Sequence, residues 1–221
     1  LRALKETVVN GHINTSTVDC YIRGMTFEGG NARCLYIQAA TSVTLVDCKA
    51  THGQAEGLSL SSSTASGDYT IYMIRCSALD CDGDGLQYTA TGAGAVVRAL
   101  EWDCVSKGNS GAGTDQGSSA HFTAGNTSVS VIRIGGTFAS NKTHGVADVG
   151  DGIDSWAAGC RFSSEAIGFY LGDDSDAWLH GCVFACTTDL VTDNAGGTIN
   201  VSGGSYATTS GVGTEGTVYH P

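Results

Sequence analysis

The sequence predicts an all-β solenoid: one chain winding through about eight stacked coils, each contributing short strands to three parallel sheets. Three observations predict it. A short pattern, consisting of an apolar run, a Gly or Asp, a Cys or small residue, one variable residue and then an aromatic or small residue, recurs along most of the chain. It reads Val46-Asp47-Cys48-Lys49-Ala50, Ile74-Arg75-Cys76-Ser77-Ala78, Trp102-Asp103-Cys104-Val105-Ser106, Ala158-Gly159-Cys160-Arg161-Phe162 and His180-Gly181-Cys182-Val183-Phe184. Weaker copies place Met25, Gly136 and Gly204 in the cysteine column, so successive members lie 23, 28, 28, 32, 24, 22 and 22 residues apart. A unit that short cannot bury its own apolar face and is stable only when stacked on its neighbours. The second observation is composition: 32 glycines and one proline, with Ser, Thr and Gly filling the spaces between short apolar runs, as many strands and many turns require. The third is the residue before the column (24, 47, 75, 103, 135, 159, 181 and 203), which is Gly five times and Asp twice. A sharp bend there requires positive φ, which Gly adopts at little cost and Asp tolerates.

Each coil divides into three strands. The first is carried by Leu35-Tyr36-Ile37, Leu58-Ser59-Leu60, Leu86-Gln87-Tyr88, Ala120-His121-Phe122, Val146-Ala147-Asp148, Phe169-Tyr170-Leu171 and Leu190-Val191-Thr192. Period-two alternation buries the outer members of each triplet and exposes the middle one. The second strand includes Val43-Thr44-Leu45, Ile71-Tyr72-Met73, Ala177-Trp178-Leu179 and Ile199-Asn200-Val201, and the third is the Cys-x-Phe segment itself. In the two middle coils the inward positions of the second strand hold Glu101 and Arg133. They either pair inside or mark a strand that has slipped by one residue, and slippage is the simpler expectation. Leu1 to Val9 reads as a short amphipathic segment or a strand.

Nine cysteines make an odd count, and five of them share the column. Equivalent residues on stacked parallel strands stand about 4.8 Å apart with parallel side-chain directions, whereas a disulfide requires Cβ atoms about 3.8 Å apart that point at each other. A ladder of buried free thiols is expected at Cys48, Cys76, Cys104, Cys160 and Cys182, with Cys81 and Cys186 in turns and Cys34 just before a strand. A formal charge of −11, from 22 acidic and 11 basic residues, argues against a nucleic-acid or anionic-membrane partner. No apolar run is long enough to span a bilayer. The missing initiator Met leads us to expect residues 1–221 to be a single domain excerpted from a longer chain.

On these residues, from about Val18 to Tyr206, the chain resembles right-handed parallel β-helix proteins, the fold of pectate lyases, many polysaccharide hydrolases and bacteriophage tailspikes. The lyase and polygalacturonase motifs Asn-Thr-Asp, Gly-His-Gly and Arg-Ile-Lys are not found, and long Asn ladders are replaced by Gly and Asp. The resemblance implies a bacterial surface polysaccharide as partner, bound and in some members cleaved by glycoside hydrolase or polysaccharide lyase chemistry, an extracellular or virion-surface location, and a homotrimer. A non-catalytic structural or adhesive shaft is the alternative, and a calcium-dependent lyase a further one.

Saccharides in such proteins lie along the exposed face of the first strand, here Tyr36, Ser59, Gln87, His121, Ala147, Tyr170 and Val191. Two residues upstream come Arg33, Glu56, Asp84, Ser118, His144, Ile167 and Thr188. Glu56 and Asp84 fall on adjacent coils, a spacing that suits the acid/base and nucleophile of retaining glycoside hydrolysis, with His144 as a candidate base. Asp80-Cys81-Asp82-Gly83-Asp84-Gly85 begins like a Ca²⁺ loop through Asp80, Asp82 and Asp84, although Thr91 stands where the bidentate Glu belongs. A second acidic group comprises Asp151, Asp154, Asp173, Asp174 and Asp176. The Gly/Ser-rich segment 105–119 is longer than its counterparts and is expected beside the groove. Tyr72, Trp156 and Trp178 are expected on an exposed apolar stripe, a subunit interface or a sugar-stacking platform.

Overall fold

A computed structural model of the chain describes residues 11–14, 19–29, 33–38, 41–62, 67–90, 95–110, 116–122, 128–150, 152–172, 175–192, 197–207, 209–211 and 217–219. Among them every regular element is a strand, and every ladder is parallel. The first sheet has nine strands, from Gly11–Asn14 to Thr209–Gly211. The second has nine, from Cys20–Arg23 to Thr217–Tyr219, and the third has seven, from Thr26–Glu28 to Val183–Ala185. Each strand pairs with its counterpart one coil away, which makes the molecule a parallel β-solenoid. The seven strands of the third sheet span six full turns, fewer than the eight coils expected, and the eighth repeat contributes only an isolated Val183–Ser205 bridge there. The segment Leu1 to Val9 lies outside the described residues.

The bend between the second and third sheets is built as the glycine column predicts. All eight positions have positive φ, from 49° at Arg75 and Asp103 to 67° at Gly135. Arg75, neither Gly nor Asp, adopts this strained region while its guanidinium holds Asp47 of the preceding coil through two hydrogen bonds of 2.7 and 3.1 Å. A second positive-φ column, His52, Asp80, Gly108, Ser140 and Ser164, bends the chain from the third sheet into the first. Five positions hold four residue types with a single Gly, so no residue type marks this bend in the sequence.

Inside, Cys48, Cys76, Cys104, Cys160 and Cys182 are free and buried. The thiol of Cys76 donates to the carbonyl of Leu45, that of Cys104 to Met73 and that of Cys182 to Ala157, each at 3.4 Å and each reaching the previous coil. Gly136 interrupts the ladder because the Phe138 ring lies over it: a Cβ at Gly136 would sit 3.0 Å from Phe138 Cε2. Phe138, Phe162 and Phe184 then stack at 5.2 and 4.5 Å along the inner face of the third sheet.

The expected slip at Glu101 and Arg133 does not occur. Register is continuous, with Met73 opposite Glu101, Glu101 opposite Arg133 and Arg133 opposite Ala157, and both side chains are essentially inaccessible. Arg133 donates from Nη1 and Nη2 to the two oxygens of Asp148 at 2.9 Å, from Nη1 to Ser155 Oγ at 2.9 Å, and from Nε to Ser118 Oγ at 3.1 Å and Glu101 Oε1 at 3.3 Å. Ser118 in turn donates to Glu101 at 2.6 Å. Burial opposes the charge on Arg133, but the carboxylates of Asp148 and Glu101 outweigh it and keep the guanidinium protonated. A slip would have turned every other inward side chain of both strands to water. Satisfying five donor contacts inside avoids that loss. Two apolar clusters flank this polar layer, one containing Cys48, Cys76 and Cys104 and the other Cys160 and Cys182.

The same layer moves one strand. The fourth triplet of the first sheet is Ser118-Ser119-Ala120, not Ala120-His121-Phe122: Leu86 faces Ser118, and Ser118 faces Val146. Ser118 points inward despite its polarity because Glu101 and Arg133 wait there, so a search for apolar residues lands two positions late. In place of a long Asn ladder there is a two-member one. Asn109 Nδ2 donates to Asn141 Oδ1 at 2.8 Å, and Asn141 Nδ2 donates to Glu165 Oε1 at 3.2 Å, in the turn that enters the first sheet.

Candidate functional site

On the outer face of the first sheet, register aligns Tyr36, Ser59, Gln87, Ser119, Ala147, Tyr170 and Val191. Ser119 replaces the expected His121, which pairs with Thr89 and Val149 two residues further along the strand; the side chain of His121 lies outside the described residues. Upstream, Gln116 replaces Ser118 as the neighbour of His144. This face is less open than alternation predicts, since Ser59, Ser119, Ala147 and Val191 are buried and Tyr36, Gln87 and Tyr170 are partly so.

The two carboxylates of the expected pair do stand on adjacent coils, and each is held by its own partners. Arg33 Nε donates to Glu56 Oε2 at 2.7 Å, and the same guanidinium lies 4.5 Å from the centre of the Tyr36 ring. Asp84, nearly inaccessible, accepts at Oδ2 from Gln87 Nε2 at 3.0 Å and from Ser119 Oγ at 2.7 Å. Ser59 Oγ donates to Gln87 Oε1 at 2.9 Å, which extends the network over three coils. His144 packs against Tyr170 with ring centres 5.0 Å apart. Its Nδ1 is buried without a hydrogen-bond partner among the described residues, and burial lowers its pKa. Its ring is therefore held toward the neutral form, and the Asp84 carboxylate two coils away partly opposes that shift.

The calcium-loop residues are dispersed. Asp80 occupies a positive-φ turn position and is exposed, as is Asp82, whereas Asp84 is tied into the sheet face. Among the described residues no group of three or more His, Cys, Asp or Glu could hold a metal ion. Of the second acidic group, Asp154 and Asp176 are register partners; Asp151, Asp173 and Asp174, like residues 111–115 of the long loop, lie outside the described residues.

The outer face of the second sheet presents what the aromatic spacing predicts. One column runs Tyr21, Thr44, Tyr72, Leu100, Ile132, Trp156 and Trp178; beside it run Val46, Ile74, Trp102 and Ile134. Tyr72, Trp102, Ile132 and Trp178 are 41, 48, 40 and 37% exposed. Trp156 and Trp178 stack with ring centres 5.0 Å apart and planes 11° from parallel. Each column is a straight ridge because the side chains of in-register parallel strands repeat once per coil.

These two faces define the protein as a parallel β-solenoid with a hydrogen-bonded polar face and an open aromatic one. No protein-family model, no curated protein and no solved structure matches the chain. The resemblance to lyases and tailspikes is therefore one of architecture. Among the described residues no helix is long and apolar enough to cross a membrane.

Proposed function

We propose that the domain binds a bacterial surface polysaccharide, working extracellularly or at a virion surface, with the aromatic face of the second sheet as its platform. The observation that carries this reading is the aligned column Tyr72, Leu100, Ile132, Trp156 and Trp178, in which Tyr72, Ile132 and Trp178 are exposed, Leu100 and Trp156 are partly so, and the tryptophan rings stack at one end. A ridge of aromatic and aliphatic side chains offers apolar surface to the apolar faces of sugar units, and apolar patches of this kind mark binding surfaces. The bacterial origin of the glycan is taken from the architectural resemblance, and fold alone carries no activity. Binding is favoured over cleavage because Glu56 is neutralised by Arg33 and Asp84 is buried under two donors. Co-sedimentation with capsule and O-antigen preparations tests it. Retention that Trp178→Ala abolishes and Glu56→Gln with Asp84→Asn leaves intact supports the reading; no retention on any preparation removes it.

The neighbouring apolar column of Ile74, Trp102 and Ile134 supports a second reading, a shaft that assembles as a homotrimer through this face. Solution mass decides it. A trimer that Ile134→Lys converts to monomer favours assembly, and a monomeric native chain excludes it.

A further inference from the structure

Beside the aromatic column, two residues upstream on the same face, runs a polar one: Ser42, Thr70, Arg98 and Ser130, followed by Asp154 and Asp176. Where the two columns meet in the middle coils the surface sinks into a depression of about 280 Å³ lined by Thr70, Tyr72, Arg98, Leu100, Ser130 and Ile132. This is just below the roughly 300–1,000 Å³ of typical small-ligand clefts, so it has room for one sugar ring and a substituent. Its walls divide by chemistry. Tyr72, Leu100 and Ile132 form an apolar side, Thr70 and Ser130 carry hydroxyls, and Arg98 is the one charged lining residue.

We infer that this depression is a subsite for a neutral hexosamine residue carrying an N-acetyl group, an inference that rests on the glycan-binding reading above. The Tyr72 ring offers a face to the pyranose, the acetyl methyl meets Leu100 and Ile132, and the acetamido carbonyl accepts from the Arg98 guanidinium. Arg98 now holds Asp68 at 2.7 Å in a pair whose side chains are 54 and 65% exposed. So open a pair is worth little, and the guanidinium, with five N–H donors, turns toward a second acceptor at small cost. Thr70 and Ser130, one coil to either side of Arg98, reach the ring hydroxyls. A polyanionic glycan fits less well. The chain carries a charge of −11, and the same polar column continues into the Asp154–Asp176 pair, so repeated carboxylates along the ridge would be repelled.

The test titrates the whole chain with chitotriose, its de-N-acetylated counterpart, maltotriose and trigalacturonate, followed by amide chemical shifts. The expected result is binding of chitotriose at least tenfold tighter than of the other three, with shifts centred on residues 70–72, 98–100 and 130–132. Tyr72→Ala and Arg98→Ser should each weaken it tenfold or more while circular dichroism and the unfolding midpoint stay at wild-type values. Equal binding of acetylated and de-acetylated trimers overturns the inference, as does a preference for trigalacturonate or indifference to both substitutions. Retention of capsule or O-antigen that depends on Trp178 but not on Tyr72 sinks this subsite and leaves the broader reading standing. Failure of chitotriose overturns the subsite, and only failure of every capsule and O-antigen preparation as well removes both.

Discussion

Replacing Arg133 with Met removes the centre of the buried polar layer and leaves Asp148 and Glu101 facing each other without a cation. Both carboxylates have exposures of 0–1%, and Arg133 supplies five hydrogen bonds: two to Asp148 and one each to Glu101, Ser118 and Ser155. Breaking a buried pair by removing one partner costs about 3–5 kcal/mol, far more than the few tenths expected at a solvated site. The expected loss is thus about 4 kcal/mol, read as a drop in the urea midpoint at constant slope. The charge count sharpens the expectation, since one guanidinium faces two carboxylates and Glu101 Oε2 has no hydrogen-bond partner among the described residues. Glu101→Gln, which balances the charges and keeps the acceptor for Ser118, should cost about 1 kcal/mol or less. Replacing Arg133, Glu101 and Asp148 together by apolar residues of similar size should recover most of the Arg133→Met loss. An Arg133→Met variant within about 1 kcal/mol of wild type would refute the reasoning, because the two carboxylates could not then be as dry as the structure has them.

Three further outcomes are expected. Glu165, enclosed between Asn141 and the Cys186 thiol, has its pKa pushed up to about 7 by burial; a raised acid favours the folded state only while protonated, so stability should be fullest below about pH 4.5 and fall as pH rises to about 7, by roughly 3 kcal/mol. Glu165→Gln should flatten that fall between pH 5 and 8 in urea unfolding, and an unchanged profile would assign the pH dependence elsewhere. A Cβ on Gly117 would run into the Gly145 carbonyl and the Asn141 side chain, so Gly117→Ala should cost about 2 kcal/mol or more by overpacking, read by the same denaturation. The column thiols should resist an aqueous disulfide reagent in the native state and react only on unfolding, since all five are buried and the neighbouring thiols, together with burial, hold Cys48 and Cys76 above the ordinary thiol pKa; rapid native labelling of five thiols would contradict the ladder.

Much of the architecture was legible because it depends on one-dimensional repetition. The cysteine column, the bend at 24, 47, 75, 103, 135, 159, 181 and 203, and the outward row of Tyr72, Trp156 and Trp178 each recur once per coil, and parallel stacking converts recurrence into alignment. The candidate site was legible only in part. Glu56 and Asp84 do share a face, but their partners Arg33, Gln87 and Ser119 come from three different coils. The depression at Arg98 was missed because its polar column becomes readable only once the 28- and 32-residue steps between coils have been aligned.

Sequence alone thus determined that the chain coils, where it bends between the second and third sheets, and that Tyr72, Trp156 and Trp178 share the outer face of the second sheet, since backbone conformation and period-two alternation are local properties. Only the tertiary structure decided the fate of Glu101 and Arg133. Alternation places them inside at a prohibitive desolvation cost, and what makes that position tolerable, the Asp148 carboxylate and the hydroxyls of Ser118 and Ser155, arrives from strands 15 to 22 residues away. The same long-range compensation pulled Ser118 inward and His121 off the expected column.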